Sequence, residues 1–349
     1  MNKNLSCPEF PPSCKSLLSK HLTKDIYNEL TNKETSNGFT LEKAMASGLV
    51  NLDSGIGIYA GDIESYDTFD LLFDPIIKNY HGFEKDEKHV SNLNSEDLIA
   101  SNPDSEGKYI LSTRIRVGRN FANLPLGPAI SKEQREKVED DASNALNSLE
   151  GKLKGIYYPL AGMSDDIANQ LISDHFLFKT GDRFLEAAGL NRDWPSGRGI
   201  FHNDEKTFLV WVNEEDQLRI ISMQEGGDIK EVFERLVTAI KKIEEKIEFS
   251  YSDHLGYITS CPTNLGTAMR ASVHIKLPNL SKEMDRFKQI TDNFHLQIRG
   301  IHGEHSESEG GVYDISNKRR LGVTEVRCVQ DMYDGVVELI KIEKELENK

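Results

Sequence analysis

Residues 261–277 read CPTNLGTAMRASVHIKL, and the second half of this stretch alternates between polar and apolar side chains. The polar positions are Arg270, Ser272, His274 and Lys276. Because successive side chains of a β-strand point to opposite faces, the alternation predicts a half-buried strand over 270–277. The CPTNLGT segment leads into this strand through small polar residues and a single cysteine.

Four further segments are predicted to be strands: 109–117, 206–213, 217–223 and 294–299. An acidic turn at 213–216 separates the second from the third. In the first segment the apolar face is predicted to hold Tyr109, Leu111, Thr113, Ile115 and Val117, and the polar face Ser112, Arg114 and Arg116. Short half-buried strands of this kind predict an antiparallel sheet.

Amphipathic helices are predicted between and after these strands, at 131–149, 230–247 and 324–345. The first opens with Ser131 and Gln134 in the spacing of a capping box. Shorter helices are predicted at 21–31, 40–48 and 65–80. The predicted fold class is α+β. It has a small all-α N-terminal domain at 1–90, a polar linker at 91–108, and a larger domain at 109–349 with an antiparallel β-sheet flanked by α-helices.

Composition and charge limit the classes of function. A net charge of −15 argues against nucleic acid as a partner, because binding a phosphate backbone needs a basic surface. The chain has no apolar run of the roughly 20 residues that span a bilayer and no signal-like N-terminus. We therefore expect a cytoplasmic protein with no membrane partner. The cysteines lack metal-ligand spacing and are predicted to be thiols: Cys7, Cys14, Cys261 and Cys328.

The polar positions of the predicted strands carry arginines: Arg114, Arg116, Arg219, Arg270 and Arg299. Any one of these arginines is as often a solvated surface residue as a ligand-binding residue. Like charges gathered on one sheet face, however, repel each other unless an anion neutralises them. Arginine also suits bidentate contact with phosphate. The chain has neither a P-loop nor the glycine-rich loop of protein kinases, so the arginines predict a different kind of polyphosphate site.

Several motifs together resemble those of the phosphagen kinases. The CPTNLGT segment at 261–267 resembles the signature of this family. The other similar segments are SGIGIY at 54–59, STRIR at 112–116, WVNEEDQLR at 211–219 and RGIHGEH at 299–305. The resemblance extends over essentially the whole chain. It implies reversible transfer of the γ-phosphoryl group of Mg·ATP to a small guanidino compound, with Mg²⁺ bound through ATP or ADP and no metal site on the protein.

The resemblance also implies roles for individual residues. The catalytic residues would be Glu215, Glu304, Cys261, Arg219 and Arg299. Substrate contacts would come from Glu215, Cys261 and Glu304 and from the loop residues Ser54, Gly55, Ile56, Gly57, Ile58 and Tyr59. Strand residues that contact the nucleotide would be Ser112, Thr113, Arg114, Ile115, Arg116, Arg219, Arg270, Ala271, Ser272, Val273 and His274. Further nucleotide contacts would come from His175, in an apolar helix predicted at 171–178, and from Arg299, Gly300, Ile301, His302, Gly303 and Glu304.

The loop 54–59 and Glu304 resemble those of the family members that act on L-arginine, which is the expected substrate. The alternatives within the family are taurocyamine, glycocyamine, lombricine and creatine. The N-terminal helical domain argues against a protein-arginine kinase of the bacterial type, and the intact motifs argue against a non-catalytic nucleotide-binding protein. Such enzymes are often monomers, which is the expected oligomeric state.

His302 and Cys261 carry two further expectations. Many arginine-specific members have a basic residue where this chain has His302, which affects the expected nucleotide contacts but not the reaction type. The Pro262-Thr263 context of Cys261 favours a lowered thiol pKa and therefore a reactive cysteine.

Overall fold

The computed structural model describes residues 6–174, 176–178, 181–300 and 310–348. The N-terminal part of the chain is helical, with α1 Leu17–His21, α2 Lys24–Leu30, α3 Leu41–Val50, α4 Glu64–Thr68 and α5 Asp70–His81. Each of the first three helices follows a Ser or Thr whose side-chain oxygen accepts a backbone N–H of the first turn: Ser16, Thr23 and Thr40. These caps satisfy donors that have no partner inside the helix.

An antiparallel sheet of eight strands forms the centre of the larger part. Its strands are β1 Ile110–Arg119, β2 Gly155–Pro159, β3 Gly199–Asn203, β4 Phe208–Val212, β5 Leu218–Glu225, β8 Met269–Lys276, β9 Leu296–Arg299 and β10 Val312–Asn317. Two short strands, β6 Tyr251–Ser252 and β7 Gly256–Tyr257, pair separately. The spatial order β2-β3-β4-β5-β1-β8-β10-β9 places β1 between β5 and β8, so distant parts of the sequence become neighbours.

Four helices cover one face of this sheet: α6 Lys132–Asn147, α9 Ile229–Glu244, α10 Met284–Asn293 and α11 Glu325–Glu347. The larger part also contains α7 Asp165–Ser173 and α8 Arg183–Ala187. Buried side chains of α6, α9, α10 and α11 form one apolar core with Ile115, Ile220 and Val273. The predicted capping box of Ser131 and Gln134 is present at the start of α6. Since the apolar strand residues face these helices, the alternate residues of the same strands lie on the opposite face. The predicted fold class, a small helical part followed by a helix-flanked antiparallel sheet, is confirmed.

The predicted position of Leu111 is wrong. Strict alternation over 109–117 puts this side chain on the buried face, but it is 47% exposed. The pairing of β1 with β8 shifts register between Ile110 and Ser112, which is the signature of a β-bulge. The bulge turns Leu111 outward while Ile110 and Thr113 remain buried.

The helix predicted over 171–178 is also shorter than expected, because α7 ends at Ser173. Beyond it, Phe176 and Phe178 join an apolar cluster with residues of the sheet that include Ile200 and Leu209. Packing against the sheet therefore replaces helical continuation in this segment.

The polar stretch predicted as a linker is bonded to the larger part of the protein. The backbone N–H of Asn92 donates to the carboxylate of Glu325 at 2.8 Å. Ile99 exchanges two hydrogen bonds of 3.0 Å with the side chain of Gln330. Both partners belong to α11, so this stretch is fastened along that helix. The domain boundaries at 90/91 and 108/109 stay a prediction.

Candidate active site

The register of the sheet gathers the predicted arginines on one face, here called the arginine face: Arg114, Arg116, Arg219, Arg270 and Arg299. Arg116 lies opposite Arg270, and Arg219 lies opposite Gly118. Arg299 lies opposite Asp314, which in turn lies opposite His274. Directly opposed residues of antiparallel strands point to the same side, so these side chains share the face opposite to the one covered by α6, α9, α10 and α11.

A cavity of about 370 Å³ opens on the arginine face. It is lined by Ser112, Arg114, Asp174, Phe176, Leu209, Trp211, Ile221, Met223, Ser272, His274 and Asp314. The residues from β4 and β5 are largely apolar, whereas those from β1, β8 and β10 are polar or charged. The volume falls within the range of small-molecule and cofactor sites, and the lining suits a ligand with one flat apolar end and one anionic end.

Arg114 and Arg116 form the part of the arginine face whose positive charge is least neutralised in the described chain. Among the residues that the structure describes, no carboxylate forms an ion pair with either side chain. The buried Nε of Arg114 also has no hydrogen-bond partner among them. Burial and then the charges of Arg219 and Arg270 lower the pKa of Arg114 to about 10. Burial and the neighbouring guanidinium groups lower the pKa of Arg116 as well. Mutual repulsion of this kind is relieved when a polyanion binds.

The other two central arginines are paired with carboxylates, and two of these, Glu214 and Asp314, were missed by sequence reasoning. Nη2 of Arg219 lies 2.9 Å from Glu214 and 3.0 Å from Glu215, and its guanidinium lies 5.3 Å from the centre of the Trp211 ring. Nη2 of Arg270 lies 2.7 Å from one oxygen of Asp314. The other oxygen of Asp314 lies 3.4 Å from Nε2 of His274. Glu214 was recognisable by its place beside Glu215, but Asp314 belongs to β10, a strand that the sequence pattern did not reveal.

Glu215 is not a solvated residue of an acidic turn. Its side chain is 18% exposed, and one carboxylate oxygen accepts a 3.4 Å hydrogen bond from Asn264 while the other pairs with Arg219. Burial raises the pKa of Glu215 to about 7, and the charges of Asp216 and Glu214 also raise it, whereas Arg219 acts in the opposite direction. A carboxyl with a pKa near neutrality can exchange a proton under physiological conditions.

The expectation for the pKa of Cys261 is wrong for this structure. Cys261 is 5% exposed, and its Sγ lies 3.0 Å from the Thr263 hydroxyl. Burial and then the charge of Glu215 raise the pKa of the thiol to about 12, although the contact with Thr263 acts in the opposite direction. The small polar neighbours that suggested a thiolate are present, but desolvation and a nearby carboxylate outweigh them.

The loop 54–59 lies against the cysteine segment. The N–H of Ala60, directly after the loop, donates to the carbonyl oxygen of Ser260 at 2.8 Å. The carbonyl groups of Gly55 and Ile56 accept from Leu17 and Leu18 of α1, and the hydroxyl of Ser54 accepts from Gly57. The backbone N–H groups of Gly55, Ile56 and Ile58 have no partner in the described part of the chain. Since Ile58 is fully buried, the accessible donors of the loop are those of Gly55 and Ile56.

Some predicted nucleotide contacts lie away from the cavity. The side chains of Ile115, Ala271 and Val273 are fully buried in the core beneath the helices. Thr113 is also fully buried, and its hydroxyl donates to the carbonyl oxygen of Gly226. These four side chains therefore have no access to a ligand on the arginine face. Gly300 is buried and directly follows β9. Five further expected residues lie outside the described part of the chain: His175, Ile301, His302, Gly303 and Glu304.

Comparison with protein families and known proteins agrees with this geometry. Residues 137–346 match the profile of the ATP:guanido phosphotransferase C-terminal catalytic domain, and residues 12–78 match that of the N-terminal domain. The chain is 55% identical over 339 residues to arginine kinase Met e 2 of Metapenaeus ensis. The aligned region covers 97% of this chain and 95% of the relative. The chain is 57% identical over 332 residues to the arginine kinase of Limulus polyphemus, with 95% and 93% covered.

Solved structures of related enzymes have the same fold. A lombricine kinase superposes with a TM-score of 0.92 at 41% identity, covering 96% of this chain and 94% of that one. The duplicated taurocyamine kinase of Schistosoma mansoni superposes with a TM-score of 0.90 at 44% identity, covering 95% of this chain and 46% of that one. The profile matches, the full-length relatives and the arginine face together show that this chain belongs to the ATP:guanido phosphotransferase family.

Proposed function

We propose that this protein transfers the γ-phosphoryl group of ATP reversibly to the guanidinium group of L-arginine, giving phosphoarginine and ADP, and so buffers ATP. The observation that carries the proposal is the arrangement of opposite charges. Arg114 and Arg116 lie on the same sheet face without a carboxylate partner in the described chain, and Arg116 lines one small pocket with the largely buried carboxylate Glu215. A phosphate chain fits the first group and a guanidinium fits the second.

The nucleotide would lie along the arginine face. Its base would occupy the apolar side of the cavity, near Trp211 and Met223, and its phosphates would lie against Arg114, Arg116 and Arg270. In phosphoryl transfer, catalysis is mainly positioning and stabilisation of charge, which fixed guanidinium groups supply.

Mg²⁺ would be carried by the phosphates. Among the described residues there is no group of three or more His, Cys, Asp or Glu placed to hold a metal ion. The arginines of the face bind phosphate and do not ligate metals, so the donor set fits a metal that the nucleotide brings. When bound, Mg²⁺ would neutralise part of the phosphate charge.

The guanidinium of arginine would lie between Glu215 and Cys261. Glu215 would hold it so that one nitrogen faces the γ-phosphorus in line with the bond to ADP. A nitrogen–phosphorus bond then forms as the bond between the γ-phosphorus and the bridging oxygen breaks, and ADP leaves with the electron pair. The guanidinium loses one proton, which Glu215 would accept. A carboxyl whose pKa is raised to about 7 can take up a proton near neutral pH.

The other end of arginine would be held by the loop 54–59. The N–H groups of Gly55 and Ile56, which have no partner among the described residues, are suited to a carboxylate. Similar folds in lombricine and taurocyamine kinases show that the fold alone does not select the guanidino compound. The preference for arginine rests on the loop sequence and on relatives named arginine kinase.

The test is a coupled assay of ADP release with L-arginine, creatine, taurocyamine, glycocyamine and lombricine. We expect a far higher kcat/KM for L-arginine than for the others. A comparable kcat/KM for creatine or taurocyamine would overturn the substrate assignment, and no activity with any of them would overturn the enzyme assignment.

None of the helices in the described residues combines the length and the apolar character that a membrane span requires. Cytoplasmic location and a monomeric state stay predictions, the second testable by light scattering.

A further inference from the structure

We propose that Arg219 occupies the guanidinium-binding site of this protein from within its own chain and that a bound nucleotide withdraws it. The inference rests on the proposed function, because it concerns the carboxylate assigned there to the substrate. It predicts that the site for arginine is blocked in the free protein and opens when the phosphates bind.

The guanidinium of Arg219 contacts Glu215, the carboxylate assigned above to the guanidinium of the substrate. Nη2 of Arg219 lies 3.0 Å from Glu215 and 2.9 Å from Glu214. The other oxygen of Glu215 accepts from Asn264, so both of its oxygens are in use. The Arg219 side chain carries the same functional group as the substrate, and a charge-assisted pair of this kind is strong in a site where all three side chains are less than a fifth exposed. Substrate must therefore displace it.

The arginine face supplies the reason for the withdrawal. Arg219 is close enough to lower the pKa values of both Arg114 and Arg116, so these guanidinium groups repel one another while no anion is present. The carboxylates Glu214 and Glu215 hold Arg219 under these conditions. A polyphosphate that neutralises Arg114 and Arg116 brings several negative oxygens within reach of the flexible Arg219 stem. Exchange of carboxylate for phosphate then frees Glu215.

This exchange makes the two ligands cooperative. A nucleotide that removes the internal competitor must increase the affinity for arginine, and arginine must increase the affinity for the nucleotide by the same factor. We expect a factor of about ten, within the usual range for coupling between sites. Equality of the two factors is itself part of the test.

Calorimetric titrations of the full chain measure this coupling directly. L-arginine is titrated into the protein with and without saturating Mg·ADP, a pair that does not react, at about pH 8.5 so that Glu215 is ionised. The wild type should bind arginine about tenfold more tightly with Mg·ADP. Arg219→Ala should bind arginine more tightly than the wild type when no nucleotide is present, and Mg·ADP should then give no further gain.

Two more variants separate the effect of Arg219 from a general change of charge on the arginine face. Glu214→Gln removes one of the two carboxylates that hold Arg219, so arginine should bind more tightly than to the wild type without nucleotide and the coupling factor should decrease. Arg114→Ala is the matched control, because it removes an arginine of the same face that forms no ion pair with Glu215 within the described chain. It should weaken Mg·ADP binding and leave arginine affinity without nucleotide as in the wild type. Circular dichroism verifies that each variant is folded.

Either of two results would overturn the inference: equal arginine affinity with and without Mg·ADP in the wild type, or weaker arginine binding by Arg219→Ala without nucleotide. If the wild type phosphorylates arginine but shows no coupling, the inference fails and the proposed function stands. If it phosphorylates no guanidino compound, the proposed function fails instead. Glu214→Gln keeps the test decisive even if Arg219→Ala does not fold.

Discussion

The two sides of β1 differ in what surrounds them. Ile115 and Val117 are fully buried in the core beneath the helices. Arg114 and Arg116 alternate with them along the strand, yet no carboxylate pairs with either in the part of the chain that the structure describes. One side of the strand therefore buries apolar surface, which stabilises the fold, and the other gathers like charges, which destabilises it.

On the arginine face, the requirements of ligand binding outweigh those of stability. A side chain that destabilises the free protein is explained by a ligand that neutralises it. Variants on the arginine face should lose activity without losing stability, and variants on the core side should do the reverse. Substitutions on the two sides of β1 and at Glu215 test this separation.

Arg116→Ala should cause the largest loss of activity. Removing a group that stabilises charge during transfer should lower kcat/KM for ATP by about 10³-fold, at the upper end of the range for such groups. The melting temperature should stay the same or rise, because a source of repulsion is removed. Steady-state kinetics and differential scanning calorimetry measure the two effects. A clear fall in melting temperature would show that Arg116 stabilises the fold, so that the two sides of β1 would not differ in this respect.

Glu215→Gln should lower kcat by roughly 10²-fold, because it keeps the shape of the side chain but removes the charge that orients the guanidinium and accepts its proton. Mg·ADP affinity should change little. Near-normal kcat combined with weakened Mg·ADP binding would assign Glu215 to the nucleotide and not to arginine.

The same variant has an expected effect on stability. Burial raises the pKa of Glu215 from 4.5 to about 7, so the folded state holds a proton that the unfolded state has lost. Wild-type stability should therefore decrease as the pH rises from about 4.5 to 7, and Glu215→Gln should lack this contribution. Urea unfolding at several pH values measures it. A Glu215→Gln protein whose stability relative to the wild type does not increase over this range would contradict the raised pKa.

Ile115→Ala tests the core side of the same strand. It should lower the free energy of unfolding by about 2–5 kcal/mol, because a buried apolar side chain is truncated beneath the helices. Activity per folded molecule should stay within about threefold of the wild type, since the cavity side of β1 is unchanged. Denaturant unfolding and active-site-normalised kinetics check both parts. A loss of activity comparable to that of Arg116→Ala would mean that the two sides are not separable.

The smallest expected effect is on Cys261. The charge of Glu215 is the second cause, after burial, that raises the pKa of this thiol. Glu215→Gln should therefore lower the pKa of Cys261, and Ile115→Ala should leave it unchanged. The pH dependence of iodoacetamide labelling, followed by peptide mapping, reports the pKa of each cysteine. An unchanged Cys261 profile in Glu215→Gln would show that the two groups are not electrostatically coupled.

Much of the fold was accessible from local patterns. Alternation identified β1, β8 and β9, and apolar spacing identified α6, α9 and α11, because both signals arise within one element. The strands β2 and β3 were not predicted, since β3 is buried at most positions and shows no clear alternation. The bulge at Leu111 and the early end of α7 depend on neighbouring elements, which the local pattern does not contain.

The residues of an anion site could be recognised without knowledge of the fold, because arginines at alternate strand positions and the CPTNLGT segment are local properties of the chain. How those residues are paired and charged followed from the three-dimensional arrangement alone. It placed Arg219 on Glu214 and Glu215, joined Arg270 and His274 through Asp314, and raised the pKa of Cys261 where its sequence context favoured a lower one. The physical reason is that ion pairs and desolvation depend on distances between strands that are remote in sequence, and the sheet alone sets those distances.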